Sequence, residues 1–168
     1  MNPSQLLGLL YPGGPLIDKY AAEGNPNAFK FPSVDTPGLN FSFSGIKTAF
    51  LYFLRDHTAK NTDFIEKNLN DICASIQYTI IQILMDKLKL AVAETGIKQI
   101  TIGGGVSANS GIRNTLKEAE TKYGWKTYIP KFEYTTDNAA MIGIVGYYNF
   151  LEENFSTSDV VSKARIEF

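Results

Sequence analysis

The sequence predicts an α/β fold, rich in helix and carrying a small parallel sheet. The first observation is an alternation: strand patterns at Gln99–Ile102 and Lys126–Ile129 are each followed by a helical pattern, at Asn109–Tyr123 and Thr136–Glu153. Such alternation calls for parallel strands joined by crossover helices. The second is a long run of apolar residues at helical spacing, Ile65, Leu69, Ile72, Ile76, Ile80 and Ile83. The third is composition. With 44% hydrophobic and 12% aromatic residues among 168, the chain can bury a core of one domain and is too apolar for a disordered segment.

Taken in order, Tyr11-Pro12-Gly13-Gly14-Pro15 opens a first helix at about Gly14–Ala22, with Leu16, Ile17, Tyr20 and Ala21 as apolar positions. Pro15 suits the first helical position, where its missing N–H is not needed, and Gly14 sits where a cap belongs. Gly24-Asn25-Pro26-Asn27 ends that helix with turn chemistry. Phe29-Lys30-Phe31 reads as a strand or an extended arm, and Pro32–Asn40 as loop. A second helix spans about Ser44–Asp56, with Ser44 as its cap. Lys47 in its first turn opposes the helix dipole; it reads as a cleft-lining lysine facing an anion or as an exposed side chain.

The longest element covers about Asp63–Thr95, with Asp63 and Glu66 spaced as a capping box and Gly96 as the stop. It fits one helix with a kink or two helices, although neither proline nor glycine marks a break. Asn154–Phe168 carries few apolar anchors and reads as an irregular tail.

The chemistry-bearing stretch is Gly103-Gly104-Gly105-Val106-Ser107-Ala108-Asn109, between strand and helix. Three glycines admit a ligand close to the backbone, and the free N–H groups and positive end of the next helix favour a nucleotide or phosphate. An ordinary turn capped by Ser107 or Asn109 uses the same residues. Asp137 is a natural cap for the last helix. Three helix starts, at Gly14, Asn109 and Asp137, either converge on one ligand or are each plain capping.

The segments YPGGP (Tyr11–Pro15), FSFSGIKT (Phe41–Thr48), GGVSAN (Gly104–Asn109) and TTDNAAM (Thr135–Met141) stand in that order. Together they resemble the C-terminal half of the TsaD (Gcp/YgjD) family, the tRNA adenosine threonylcarbamoyltransferases, formerly called O-sialoglycoprotein endopeptidases. The resemblance covers nearly the whole chain from about Leu6. It implies the C-terminal part of an actin-like ATPase (ASKHA) fold, with residues 1–168 a single partial domain that binds nucleotide, as in a truncated or partial product. It implies transfer of a threonylcarbamoyl group from its adenylate to the adenosine next to the tRNA anticodon. By motif match, Gly14, Asp18 and Asn109 resemble nucleotide or substrate contacts, and Asp137 resembles the carboxylate that completes an iron or zinc site. An adenine nucleotide (threonylcarbamoyl-adenylate or ATP), tRNA, and TsaB-like and TsaE-like proteins are the implied ligand and partners. No residue is matched to a catalytic role.

The departures set further expectations. The family's two metal-binding histidines, in an HxxxH segment, and its first phosphate loop have no counterpart here. The single histidine, His57, reads as a solvated helix end beside Asp56, Thr58 and Lys60. Tight divalent binding takes three or four protein ligands, so the isolated chain is expected neither to keep iron or zinc nor to modify tRNA. The alternative is a catalytically silent nucleotide-binding or interaction module. The older protease label is discounted, because HExxH spacing and a Ser/His/Asp arrangement are both missing.

A net charge of −1 supplies no basic surplus for RNA. Lys87, Lys89, Lys98, Lys122, Lys126 and Lys131 read as a solvated surface. Cys73, the only cysteine, reads as a buried hydrophobe with no disulfide partner. No signal peptide and no apolar run of about 18 residues is seen, which points to the cytosol and away from a membrane. Asp18, one turn into its helix, is expected on the same face as Gly14 and Asn109 and suited to a ribose hydroxyl. An unpaired sheet edge and surplus apolar surface predict a homo-oligomer, with exchange of the arm before Gly14.

Overall fold

Two hydrophobic cores are strung along one helix. The computed structural model describes residues 3–33 and 36–161. The axis is α4 (Phe64–Thr95), preceded by α1 (Pro3–Leu6), α2 (Gly13–Ala21) and α3 (Ser44–Thr58). α3 presents Ile46, Phe50 and Leu54, four residues apart and therefore one stripe. They meet Leu7, Ile72, Cys73 and Ile76 to form the first core, with Ile17 and Tyr20 of α2 against it. The second core lies further along α4, where Ile81 and Met85 meet Ile100, Leu116, Ala119 and Trp125.

That second core is a β-α-β unit. β1 (Gln99–Thr101) and β2 (Lys126–Tyr128) pair in parallel, Ile100 opposite Thr127, and α5 (Ser110–Tyr123) is the crossover. Ile100 is buried between exposed neighbours, the period-two signature of a half-buried strand. The ladder runs one bond beyond β1, from the Ile102 N–H to the Tyr128 carbonyl at 3.2 Å. Among the described residues β1 has no partner other than β2, so one of its edges is unpaired.

α4 bends where the sequence shows neither proline nor glycine. Asn68 leaves helical geometry (φ −122°, ψ 17°) and its side-chain amide donates to the Phe64 carbonyl at 2.8 Å. A side chain that takes the i−4 carbonyl competes with the backbone ladder and bends the helix. The capping box ahead of it does not form. Asp63 makes no cap and instead pairs with Lys67 at 3.3 Å, because its own backbone (φ −88°, ψ 7°) is not the extended one a cap needs. Gly96 does end the helix, in the left-handed region at φ 71°.

Several other boundaries move. α2 begins at Gly13, behind a cis Tyr11–Pro12 bond, which puts Pro15 third in the helix rather than first. α3 begins at Ser44 itself, so Ser44 makes no cap and its carbonyl accepts from the Thr48 hydroxyl at 3.2 Å. α6 (Ala139–Leu151) starts three residues later than expected. Its cap is Asn138, whose extended backbone lets Oδ1 reach the Met141 N–H at 3.2 Å, not Asp137. Phe29–Phe31 forms no strand, and the Phe29 N–H donates to Ser75 Oγ at 3.1 Å. Residues 154–161 carry no helix or strand, and the rest of the expected tail lies outside the described residues.

Two side chains correct the sequence reading. His57 is not a solvated end: it stacks on Phe64 at 4.5 Å, lies 4.3 Å from Phe53, and its Nδ1 bonds the Phe53 carbonyl at 2.8 Å. The helix runs one residue past His57 and folds it back onto these rings. Lys87 is not a free surface cation: its ammonium donates to the carbonyls of Thr36 and Gly38 and holds that loop against α4. In the single chain the segment before Gly14 packs on the first core through buried Leu7. Cys73 is fully buried, as read, and burial pushes its thiol up to about 11. No helix among the described residues is long and apolar enough to cross a membrane.

Candidate nucleotide site at the seam of the two cores

The seam lies where α2, belonging to the first core, meets the start of α5, belonging to the second. β1 leads into the glycine turn, and Gly104 takes φ 70°, ψ −176°, a backbone state essentially reserved for glycine. A short 3-10 turn, Gly105–Ala108, follows, with buried Ser107 donating to the Gly104 carbonyl at 2.7 Å. Ser107 is thus spent inside the turn and Asn109 is the cap of α5, its Oδ1 accepting from the Ile112 N–H at 2.9 Å. Arg113 clamps the turn from below, donating to the carbonyls of Ser107 and Pro130.

Asp18 sits opposite this cap. Its Oδ1 accepts from Gln77 Nε2 at 3.0 Å, from Asn109 Nδ2 at 3.1 Å and from Ser110 Oγ at 2.9 Å. Its Oδ2 accepts from the Ser110 N–H at 2.9 Å. Gln77 Oε1 in turn accepts from Asn109 Nδ2 at 2.8 Å. All three side chains are half-buried. Asp18 and Asn109, 91 positions apart, are therefore bonded to each other.

The positive end of α5 is consequently occupied from within. The Ser110 N–H faces the Asp18 carboxylate and the Ile112 N–H faces the Asn109 amide. Two of the N–H groups at that helix start are therefore already paired. Asp18 Oδ2, with a single donor, keeps a lone pair for a hydroxyl. The start of α2 is different: Pro12 there makes no side-chain cap, and Gly14 is exposed with open space where a Cβ would stand.

Gly14, Asp18, Gln77 and Asn109 line one cavity of about 450 Å³, whose other walls include Ile17, Ile76, Ile80, Val106 and Phe132. Apolar walls with a few convergent polar groups are the usual makeup of a small-molecule site. A slightly larger cavity, about 490 Å³, is lined by Leu39, Phe41, Leu88 and Ile102 with Lys87, Thr101 and Ser107, and contains none of Gly14, Asp18, Gln77 and Asn109. Lys47 is exposed and lines neither, nor does Asp137. Two of the three expected helix starts meet at this cavity, and the third does not line it.

A model of the family described as TsaD, tRNA N6-adenosine threonylcarbamoyltransferase, matches residues 1–144. The chain belongs to the TsaD family. A tRNA N6-adenosine threonylcarbamoyltransferase of Christiangramia forsetii is 65% identical over 165 residues, which is 98% of this chain and 48% of that protein. Proteins of the same description from Cytophaga hutchinsonii and Porphyromonas gingivalis are 57% and 52% identical, each aligned over 97% of this chain and 48% of their own length. The chain thus spans about half the length of the curated relatives it matches.

The TsaD resemblance implies a metal, and the residues at hand do not fit one. Asp137 is an exposed carboxylate, His57 is committed to the Phe53 carbonyl and its ring neighbours, and no three His, Cys, Asp or Glu side chains cluster among the described residues. Gln77, Ser110 and Arg113 are the site residues that sequence reading missed. Gln77 had a visible signal: an amide set in the run Ile76, Ile80, Ile81 at a helical position that should be apolar.

Proposed function

We propose that this chain is the C-terminal, nucleotide-holding portion of a tRNA N6-adenosine threonylcarbamoyltransferase, in which it grips the adenylate half of the threonylcarbamoyl donor. One observation carries the reading. Gly14, Asp18 and Asn109, from motifs far apart in sequence, line one apolar-walled cavity of about 450 Å³. Ile17, Ile76, Ile80 and Phe132 offer flat apolar contact for a base. Asp18 Oδ2 offers an acceptor for a ribose hydroxyl, and the start of α2 beside Gly14 offers N–H groups for a phosphate.

In this reading the chain binds and orients, and the chemistry at the carbonyl is completed by groups outside it. Iron or zinc would have to be held by groups outside this chain, since Asp137 is the single carboxylate matched to the family's metal site. The tRNA, the TsaB-like and TsaE-like proteins and a cytosolic setting belong to the same proposal. So does self-association, supported by the unpaired edge of β1 and the uncovered apolar surface of α6. Light scattering at micromolar concentration that returned the mass of one chain would remove it.

Calorimetry with ATP tests the central claim. Binding of one ATP per chain, weakened at least tenfold in Asp18→Ala, is the expected result. No heat at millimolar ATP, or equal affinity in the variant, would overturn it.

A further inference from the structure

We infer that Gln77 is the positioning residue that holds the Asn109 amide in its capping pose and fixes the aim of the Asp18 carboxylate. The inference rests on the nucleotide reading above for its functional consequence, but its geometry stands alone. One backbone group at the start of α5 has only one option. The Ile112 N–H is a donor, so the atom of Asn109 that faces it must be the oxygen, and the observed contact is Oδ1 at 2.9 Å. The Asn109 NH₂ group then has to face the other way, where it needs acceptors.

Two acceptors stand there, Asp18 Oδ1 at 3.1 Å and Gln77 Oε1 at 2.8 Å. With its oxygen turned to Asn109, Gln77 must present its NH₂ to Asp18, and it does so at 3.0 Å. One helix N–H therefore sets Asn109, Asn109 sets Gln77, and Gln77 closes the loop on Asp18. Every donor in this circuit meets an acceptor, and flipping any one amide would set like against like.

Gln77 is the only member supplied by α4, the element both cores share. It follows Ile76 of the first core and precedes Ile81 of the second, so its backbone is held from both sides. Asp18 and Asn109 belong to elements that meet only at this seam. A rigid amide between them keeps Oδ1 of Asp18 occupied and leaves Oδ2, with its single donor, as the carboxylate oxygen available to a ligand hydroxyl.

Gly111 gives independent support. A Cβ built there would lie 2.7 Å from Ile81 Cδ1, 3.0 Å from Gln77 Nε2 and 3.3 Å from Asn109 Oδ1. The first turn of α5 is thus pressed so closely against Ile81 and Gln77 that a methyl group there would push these side chains aside.

Two readouts on the 168-residue chain test the inference. In Gln77→Leu, which keeps the volume and removes both polar ends, Asn109 loses an acceptor and Asp18 a donor. Amide exchange at Ile112 should quicken roughly five-fold, the worth of one ordinary hydrogen bond, while Leu116 deeper in α5 stays unchanged. ATP affinity should fall about tenfold, and further in Gln77→Glu, which sets a carboxylate against Asp18. A residue that merely filled space would give the opposite order, with leucine the best tolerated and the Ile112 amide untouched. Gly111→Ala, whose methyl group would push on both Ile81 and Gln77 without altering the latter, should quicken Ile112 exchange likewise and serves where the leucine variant folds poorly. Unchanged Ile112 exchange in both variants overturns the inference whatever ATP does. If the unaltered chain binds no ATP, the nucleotide reading falls, and the exchange rates still decide whether Gln77 holds Asn109.

Discussion

α4 and α6 are both apolar helices, and what differs is what stands opposite them. α4 buries Ile72, Cys73 and Ile76 against α3 and α2, then Ile81 and Met85 against β1 and α5. α6 carries Met141, Ile142, Ile144, Val145, Tyr147 and Tyr148 around its whole circumference and buries none of its residues. An apolar side chain stabilises a fold only where another surface keeps water from it. A helix apolar on every side is suited to being surrounded, so the composition of α6 states a requirement that the rest of the described chain does not meet.

The largest effect that would break this contrast is a truncation in each region. Phe50→Ala, at a side chain with no exposure, should cost about 3–5 kcal/mol in urea unfolding. Ile142→Ala, at a side chain 77% exposed, should stay within about 0.5 kcal/mol. Comparable losses in both would mean that α6 is covered in solution.

Next in size is the pH response of the first core. The Cys73 thiol is raised from 9.0 to about 11 by burial, so the folded state holds its proton more tightly than the unfolded chain. Stability from this group is intact below pH 9 and declines between pH 9 and 11 as the unfolded thiol ionises. The decline amounts to roughly 2–3 kcal/mol and should be absent in Cys73→Ala. An unaltered stability slope in that variant would refute it.

The cap of α5 comes third. Asn109→Ala removes the acceptor for the Ile112 N–H and should cost about 1 kcal/mol. Asp137→Ala, before α6, should cost much less, because Asn138 makes that cap. Thermal unfolding of the two variants ranks them. The smallest effect belongs to the bend in α4: Asn68→Ala frees the Phe64 carbonyl and should return the 13Cα shifts of residues 67–69 to helical values, with a stability change of roughly half a kcal/mol.

Element type was legible wherever a local period or a local stop existed. The 3.6-residue repeat of α4, the αL glycine at its end and the alternation around Ile100 are decided within a few bonds of the residues concerned. Boundaries were less legible where two adjacent residues compete for one role. Asp137 and Asn138 both carry capping side chains, and the extended backbone at Asn138 decided between them. His57 and Lys87 were misread for a different reason. Each lies beside polar neighbours in sequence, yet its partners come from elsewhere: Phe64 and Phe29 for one, the loop carbonyls of Thr36 and Gly38 for the other.

The candidate site divides along the same line. The sequence by itself determined that Gly14 and Asn109 stand at helix starts, with Asp18 one turn into the first of these helices, and its motifs determined the family. Only the tertiary structure decided that Asp18 reaches α5's positive end, and that Gln77 joins the two. The reason is physical: capping and helical period act over three or four residues, whereas the circuit through Asp18, Gln77 and Asn109 links positions 32 to 91 apart and exists only once both cores have packed on α4.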